Sequence, residues 1–329
     1  MSWGGRRVLV TGAGGFIGSH LTEALVREGA DVTAFVRYTS RGDIGLLRFA
    51  EEDVRGQVRV IAGDLRDPEA VRKAAIGQAT IFHLGALIAI PYSYVHPTEV
   101  VEVNVMGTVN VLNAALAGGV ATLVHTSTSE TYGTALRVPI DEGHPMQAQS
   151  PYSASKIGAD AIAHAYAASF ELDVTTVRPF NTFGPRQSGR AVIPTIAGQA
   201  LYSDRITLGS LDPVRDFTYV SDTVDGFLRV GSSQSASGQV FNIGSGQGIS
   251  VGALAERIRS RAGRDVPIET SDQRKRPGTS EVFQLIADAS RATDLLGWKP
   301  AVSLDDGIDR VLGFLREHPG WTDPERYEV

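Results

Sequence analysis

Residues Val8 to Gly18 read V-L-V-T-G-A-G-G-F-I-G, and this stretch decides the fold. A short apolar, β-branched run leads into glycines at positions 12, 14, 15 and 18. The spacing Gly12, Gly15, Gly18 is one residue longer than the G-x-G-x-x-G fingerprint, but it asks the same of the backbone. Glycine permits a tight turn after a strand and lets the chain approach a pyrophosphate. The helix that follows then aims its free N–H groups at the phosphate charge. Gly12, Gly15, Phe16, Ile17 and Gly18 are therefore candidate contacts for a dinucleotide. The plain alternative is a glycine turn with a structural role only. Its place between a strand and a helix favours the first reading.

The same alternation continues outward from that stretch. Val32 to Val36, Val58 to Ala62, Thr80 to Leu84, Ala121 to Thr126 and Val174 to Arg178 read as strands. Helical spacing separates them, at Ser19 to Glu28, Pro97 to Ala117 and Pro151 to Phe170. Nearly all-apolar strands alternating with helices predict an α/β fold, a doubly wound parallel sheet covered on both faces. After Arg178 the pattern changes to a Pro-, Gly- and Asn-rich loop and shorter elements, with amphipathic helices at Val251 to Ala262 and Leu304 to Glu317. We expect a dinucleotide-binding part over 1–178 and a smaller, irregular α/β substrate lobe over 179–329 that returns segments to the first. The Ser- and Gly-rich stretch Gly231 to Gly238 reads as a surface loop.

Composition narrows the function classes. The 329 residues are 42% hydrophobic, enough for a large core. A net charge of −6 argues against nucleic acid as the main partner. There is no cysteine, which excludes disulfides and thiolate chemistry and suits a cytoplasmic setting. The apolar run Ile81 to Ile90 is too short to span a bilayer, so no membrane partner is expected. The seven histidines show no metal-ligand spacing, and His83 and His125 read as packed strand histidines.

A second constellation follows the fifth strand. T-S-T-S-E-T-Y-G runs from Thr126 to Gly133, and Y-S-A-S-K from Tyr152 to Lys156. A tyrosine and a lysine four apart on a helix share one face. An ammonium beside a phenol lowers the phenol's pKa, which would make Tyr152 a base for a hydroxyl near neutral pH. Alone the pair is a weak signal, since such pairs are common on solvated helices. With the glycine stretch and the carboxylate of Glu130, it becomes specific.

The end of the second strand bears on the choice of dinucleotide. An acid about 20 residues past the glycines would bind the ribose hydroxyls. Arg37 stands there, with Arg41 nearby, which leans towards NADP over NAD. Two solvated arginines are the alternative. Asp64 and Leu65 suit an adenine, one as acceptor for the amine and one as an apolar wall. Leu84 and Ala86 close the fourth strand beside the cofactor.

Taken in order, these residues resemble the extended short-chain dehydrogenase/reductase family of nucleotide-sugar enzymes. The likeness covers nearly the whole chain. It includes H-L-G-A at His83, N-V-M-G-T at Asn104, the set Thr128, Tyr152 and Lys156, R-P-F-N-T-F-G-P at Arg178, R-D-F-T-Y-V-S-D at Arg215 and L-G-W-K-P at Leu296. The resemblance implies a Rossmann-like fold, a tightly bound and recycled NAD or NADP, and a nucleotide-diphosphate sugar as substrate. It also implies a homodimer formed through the helices at 97–117 and 151–170.

Thr128, Ser129 and Glu130 match the triplet of the family's sugar 4,6-dehydratases. The Ser-Glu form looks like GDP-mannose 4,6-dehydratases and legionaminate-type N-acetylglucosamine 4,6-dehydratases. A-L-I-A-I-P-Y-S-Y at Ala86 and R-P-G-T-S-E-V at Arg276 look closest to the latter. UDP-glucuronate decarboxylases also carry T-S-E there, whereas hexose epimerases generally lack the Glu. The implied cycle has Tyr152 taking the proton from the hydroxyl on carbon 4 as hydride leaves, with Thr128 sharing that hydroxyl and Lys156 also holding the nicotinamide ribose. Glu130 then takes the proton from carbon 5, and water leaves carbon 6 with Ser129 positioning it. Arg215, Arg276 and, more weakly, Arg190 match positions that hold the diphosphate, and Asn181 one that bonds a phosphate or sugar oxygen. Tyr92, Ser93 and Glu281 are candidates for the sugar side. The rivals are a UDP-glucuronate decarboxylase, a nucleotide-sugar 4-epimerase and a non-catalytic NADP sensor.

Overall fold

Seven parallel strands form the central sheet of the computed structural model, which describes residues 3–274 and 278–323. In chain order the strands of the first half are β1 (Arg7–Thr11), β2 (Asp31–Arg37), β3 (Arg59–Gly63), β4 (Thr80–His83), β5 (Thr122–Thr126) and β6 (Val174–Pro179). Then come β7 (Asn181–Phe183), β8 (Ile206–Leu208), β9 (Val214–Tyr219) and β10 (Val240–Ile243). The sheet order is β10-β6-β5-β4-β1-β2-β3, so the order reverses beside β1, between β1 and β4. In such open sheets ligands bind at the carboxyl ends of the strands near that reversal. β1 and β4 are buried on both faces, as parallel central strands require, while β3 at the edge is largely exposed. The strand beside β6 comes from beyond position 178, pairing Phe241 with Val177.

The helices that matter to the site are α1 (Phe16–Arg27), α2 (Pro68–Ala75), α3 (Ile90–Val95), α4 (Pro97–Gly118) and α5 (Pro151–Phe170). α1 starts three residues earlier than its apolar spacing suggests, directly after Gly15, and carries Gly18 inside it. α4 contains a wider turn at Glu102–Met106. By length and composition alone it is long enough and apolar enough to cross a membrane, yet Val111, Leu112, Ala114 and Ala115 pack into a core with α2 and β4. Ser150 caps α5 through a reciprocal capping box with Ser153, and Pro151 occupies the first turn. That cap fixes where the helix begins, and so where Tyr152 and Lys156 point.

A second, small sheet pairs β9 with β7, with Gly248–Ser250 and with Gln284–Leu285. The stretch Gly231 to Gly238 is exposed at Gln234, Ser235, Ser237 and Gly238, as a surface loop would be, but differs at its start. Gly231 lies in the last turn of the helix Val220–Ser232 and is buried; a Cβ there would lie 2.5 Å from the Phe82 ring. Ala236 is also buried. Small residues here serve close packing as well as turning.

Candidate active site

The glycine stretch forms a tight cradle. Gly12 has φ +70°, and a Cβ on it would stand 2.7 Å from the Gly85 amide nitrogen after β4. No side chain caps the N-terminus of α1, and no acid stands in its first turn. The amides of Phe16, Ile17 and Gly18 therefore open a helix end suited to a phosphate. The Phe16 side chain itself packs edge-on against His20, and Ile17 packs on the core. Leu84 and Ala86 follow β4, half-buried, with the Leu84 amide donating to the Thr11 carbonyl at 3.2 Å. Leu65 is buried against Gly85, where a Cβ would meet its Cδ1 at 2.7 Å. These features fit a dinucleotide: a helix end for the pyrophosphate, room for close backbone approach, and an apolar wall.

The adenosine end is more crowded than the sequence suggests. Asp64 accepts two bonds from the Arg66 guanidinium, at 2.7 and 3.1 Å, which hold its carboxyl below the usual range. Arg37 is largely exposed at the end of β2, with its guanidinium 3.8 Å from Glu99 of α4. Arg41 is exposed on the following loop.

The end of β5 and the start of α5 meet as the spacing implies. Tyr152 is 6% exposed and Lys156 4%. Tyr152 stands beside Thr128, whose Oγ1 accepts from the Glu130 amide at 3.2 Å. Ser129 is buried and Glu130 half-buried in the turn Ser129–Tyr132. One expectation is corrected. Lys156 Nζ donates to the Thr126 carbonyl at 2.7 Å, and it does not draw down the phenol. Burial pushes Tyr152 above the ordinary phenol value; the Thr128 hydroxyl pulls it down, and Glu130 and Asp160 push it up. A phenol so placed is a strong base once ionised and holds its proton tightly when protonated.

Burial draws Lys156 down to about 8, with Asp160 opposing. Its folded value lies below its unfolded one, so between about pH 8 and 10.5 the unfolded chain binds the extra proton and stability rises with pH. The shift corresponds to about 3 kcal/mol. The stability gap between the parent and Lys156→Met should move in the parent's favour by about that much from pH 8 to 10.5, measured by urea unfolding. A gap that does not vary with pH would contradict this burial.

Sequence reading missed the buried acid behind this pair. Asp160, one turn beyond Lys156, accepts from Ser127 Oγ at 2.7 Å, from Arg178 at 2.9 and 3.2 Å, and lies 3.0 Å from His125 Nε2. Burial pushes Asp160 up, but His125, Arg178 and Lys156 outweigh it. Asn104 was quoted only as part of a run. Its side chain clamps both backbone groups of Leu87 and donates to Ser155 at 2.9 Å, tying the loop after β4 to α5. His83 is packed as expected, between the Thr11 and Thr108 hydroxyls.

The proposed substrate residues divide. Arg215 is buried, with Nη2 3.3 Å from Glu281 Oε1, so a cation and an acid assigned to different parts of the substrate stand together. Asn181 donates to the Asp216 carbonyl at 3.3 Å, and Arg190 is exposed. Arg276 lies outside the described residues. Of the sugar-side candidates, the Tyr92 hydroxyl donates to Glu99 and the buried Ser93 hydroxyl to the Ile90 carbonyl. Tyr94, one residue further, instead shares a 2.5 Å bond with Ser280, which donates to the Gln149 carbonyl just before α5. A cleft of about 610 Å³ between α1 and the helix Leu304–Glu317, lined by His20, Phe49 and His318, contains none of these residues.

Comparison with known proteins shows the family. Residues 9–311 match the family model described as GDP-mannose 4,6 dehydratase. A UDP-glucose 4-epimerase of Mycolicibacterium smegmatis is 35% identical, covering 94% of this chain and 98% of its own. A dTDP-glucose 4,6-dehydratase of Streptomyces griseus is 34% identical, covering 96% of each. Among solved structures, DesIV, a dTDP-glucose 4,6-dehydratase from Streptomyces venezuelae with NAD bound, superposes with a TM-score of 0.87 at 29% identity, over 97% of this chain and all of its own. The chain belongs to the GDP-mannose 4,6-dehydratase family, within the extended short-chain dehydrogenases/reductases that act as nucleotide-sugar dehydratases and epimerases.

Proposed function

We propose that this chain is a nucleotide-sugar 4,6-dehydratase acting on UDP- or GDP-N-acetylglucosamine and giving the 4-keto-6-deoxy sugar nucleotide. The observation that carries the reading is Glu130 at the end of β5, its amide bonded to Thr128 and its charge acting on Tyr152. An epimerase has no use for a carboxylate there. A decarboxylase is the second reading, favoured by the same T-S-E run.

A bound nicotinamide dinucleotide supplies an acceptor for the hydride from carbon 4 and returns it at carbon 6. The residues do the rest. Tyr152, with Thr128, takes the proton of the hydroxyl on carbon 4 as that carbon becomes a ketone. The ketone acidifies the proton on carbon 5, and Glu130 removes it. The bond between carbon 6 and its oxygen breaks, and the departing hydroxyl leaves as water with a proton. Ser129 is a poor acid, so Glu130 passes on the proton and Ser129 positions the hydroxyl. A proton then returns to carbon 5. In this reading Lys156, one turn from Tyr152, also holds the nicotinamide ribose.

The cofactor is NAD or NADP. Arg37 alone would give a 2′-phosphate a foothold, and its pairing bears on that choice. Homodimerisation through α4 and α5 is part of the reading, supported by Val101, Met106 and Phe170 exposed on those helices. Incubation with UDP- and GDP-N-acetylglucosamine, dTDP-glucose, UDP-glucose and UDP-glucuronate separates the readings. Turnover of an N-acetylglucosamine nucleotide in preference to the rest is expected. Turnover of UDP-glucuronate alone, with carbon dioxide released, would replace the reading with decarboxylation.

A further inference from the structure

β2 ends in a cation, where an acid would grip the adenosine ribose. The cation has a partner that no short-range sequence pattern marks. Glu99, near the start of α4, brings Oε1 to 3.8 Å from the Arg37 guanidinium. Its other oxygen accepts the Tyr92 hydroxyl at 2.5 Å, which fixes the carboxylate in place. The surroundings are acidic on balance. Arg66 joins Asp64 at 2.7 Å and Glu102 at 3.6 Å, so the group holds Asp64, Glu99 and Glu102 against Arg37 and Arg66. These contacts gather at the ends of β2 and β3, on the adenosine side of the glycine cradle.

We propose that Glu99, held by Tyr92, sets the dinucleotide preference of this site by countering Arg37, and that it makes NAD the favoured cofactor. This rests on the reading that the cleft binds a nicotinamide dinucleotide. A 2′-phosphate carries about two negative charges, and Glu99 repels it while competing for Arg37. A ribose 2′-hydroxyl meets no such penalty and finds a carboxylate within the same cluster. Arg37 and Arg41, read from the sequence without Glu99, leaned to NADP.

The test is competitive loading. Purified protein is equilibrated with equimolar NAD and NADP, freed of unbound cofactor and denatured, and the released dinucleotides are quantified by mass spectrometry. The parent should release mainly NAD. Glu99→Gln keeps the shape, removes the charge and frees Arg37. Its bound NADP-to-NAD ratio should rise about tenfold, the size expected for one charge pair near the surface. Tyr92→Phe, which only loosens Glu99, should shift the ratio the same way by less. Adding Arg37→Ala to Glu99→Gln should remove most of the gain, since the two residues act on one another. A parent that prefers NADP, or a ratio in Glu99→Gln within about twofold of the parent while both dinucleotides still bind, would overturn the role of Glu99 and leave the dehydratase reading standing. Release of neither dinucleotide from the parent would overturn both.

Discussion

Tyr152→Phe should abolish turnover, including the transient reduction of bound cofactor. The substitution removes the hydroxyl that takes the proton from the sugar and leaves the ring that fills the buried site. The ring keeps its buried packing, so the fold persists. The loss in rate should be at least the 10²–10⁴-fold, roughly, that general base catalysis supplies. Single-turnover absorbance of the reduced nicotinamide reads the first half of the cycle directly. Reduction at the parent rate in Tyr152→Phe would move the base elsewhere, with Glu130 the next candidate.

Glu130→Gln should divide the cycle at its middle. The amide keeps the shape and the backbone bond to Thr128, but it cannot take a proton from carbon 5. Dehydration should fall by roughly 10²–10⁴-fold. Oxidation at carbon 4 should persist. Glu130 pushes the Tyr152 phenol up, so removing its charge makes that phenol easier to ionise. Reduced cofactor should therefore accumulate with the 4-keto sugar, and exchange of solvent deuterium at carbon 5 should slow in parallel. Dehydration at the parent rate would make Glu130 a structural carboxylate and remove the main support for the dehydratase reading.

What was legible in the sequence was what local spacing controls. Val8 to Gly18 specified strand, turn and helix because each glycine answers a backbone demand: a positive φ at Gly12, and no room for a Cβ at Gly18. Ser150 and Pro151 start a helix, so Tyr152 and Lys156 had to share a face. The same spacing would have placed Asp160 one turn beyond Lys156, but its meaning depends on Arg178 and His125 arriving from β6 and β5. The partnership of Arg37 with Glu99 was out of reach, because β2 and α4 meet only when the sheet is assembled. The state of Tyr152 was misjudged for a related reason. Helical spacing brings the ammonium near but says nothing of the strand carbonyl that takes it, or of the burial that outweighs it. Gly231 was misread because composition cannot tell a glycine that turns from one that lets Phe82 approach.

The central claim is that Tyr152 and Glu130 together remove water without net oxidation. It is tested most directly by the mass of the product formed from the turned-over nucleotide sugar, with nicotinamide absorbance followed in the same reaction. The account predicts a nucleotide sugar lighter by one water, with one solvent deuterium at carbon 5 when the reaction is run in heavy water and no lasting change in absorbance. A product of unchanged mass with inverted configuration at carbon 4, or one lighter by carbon dioxide, would contradict it.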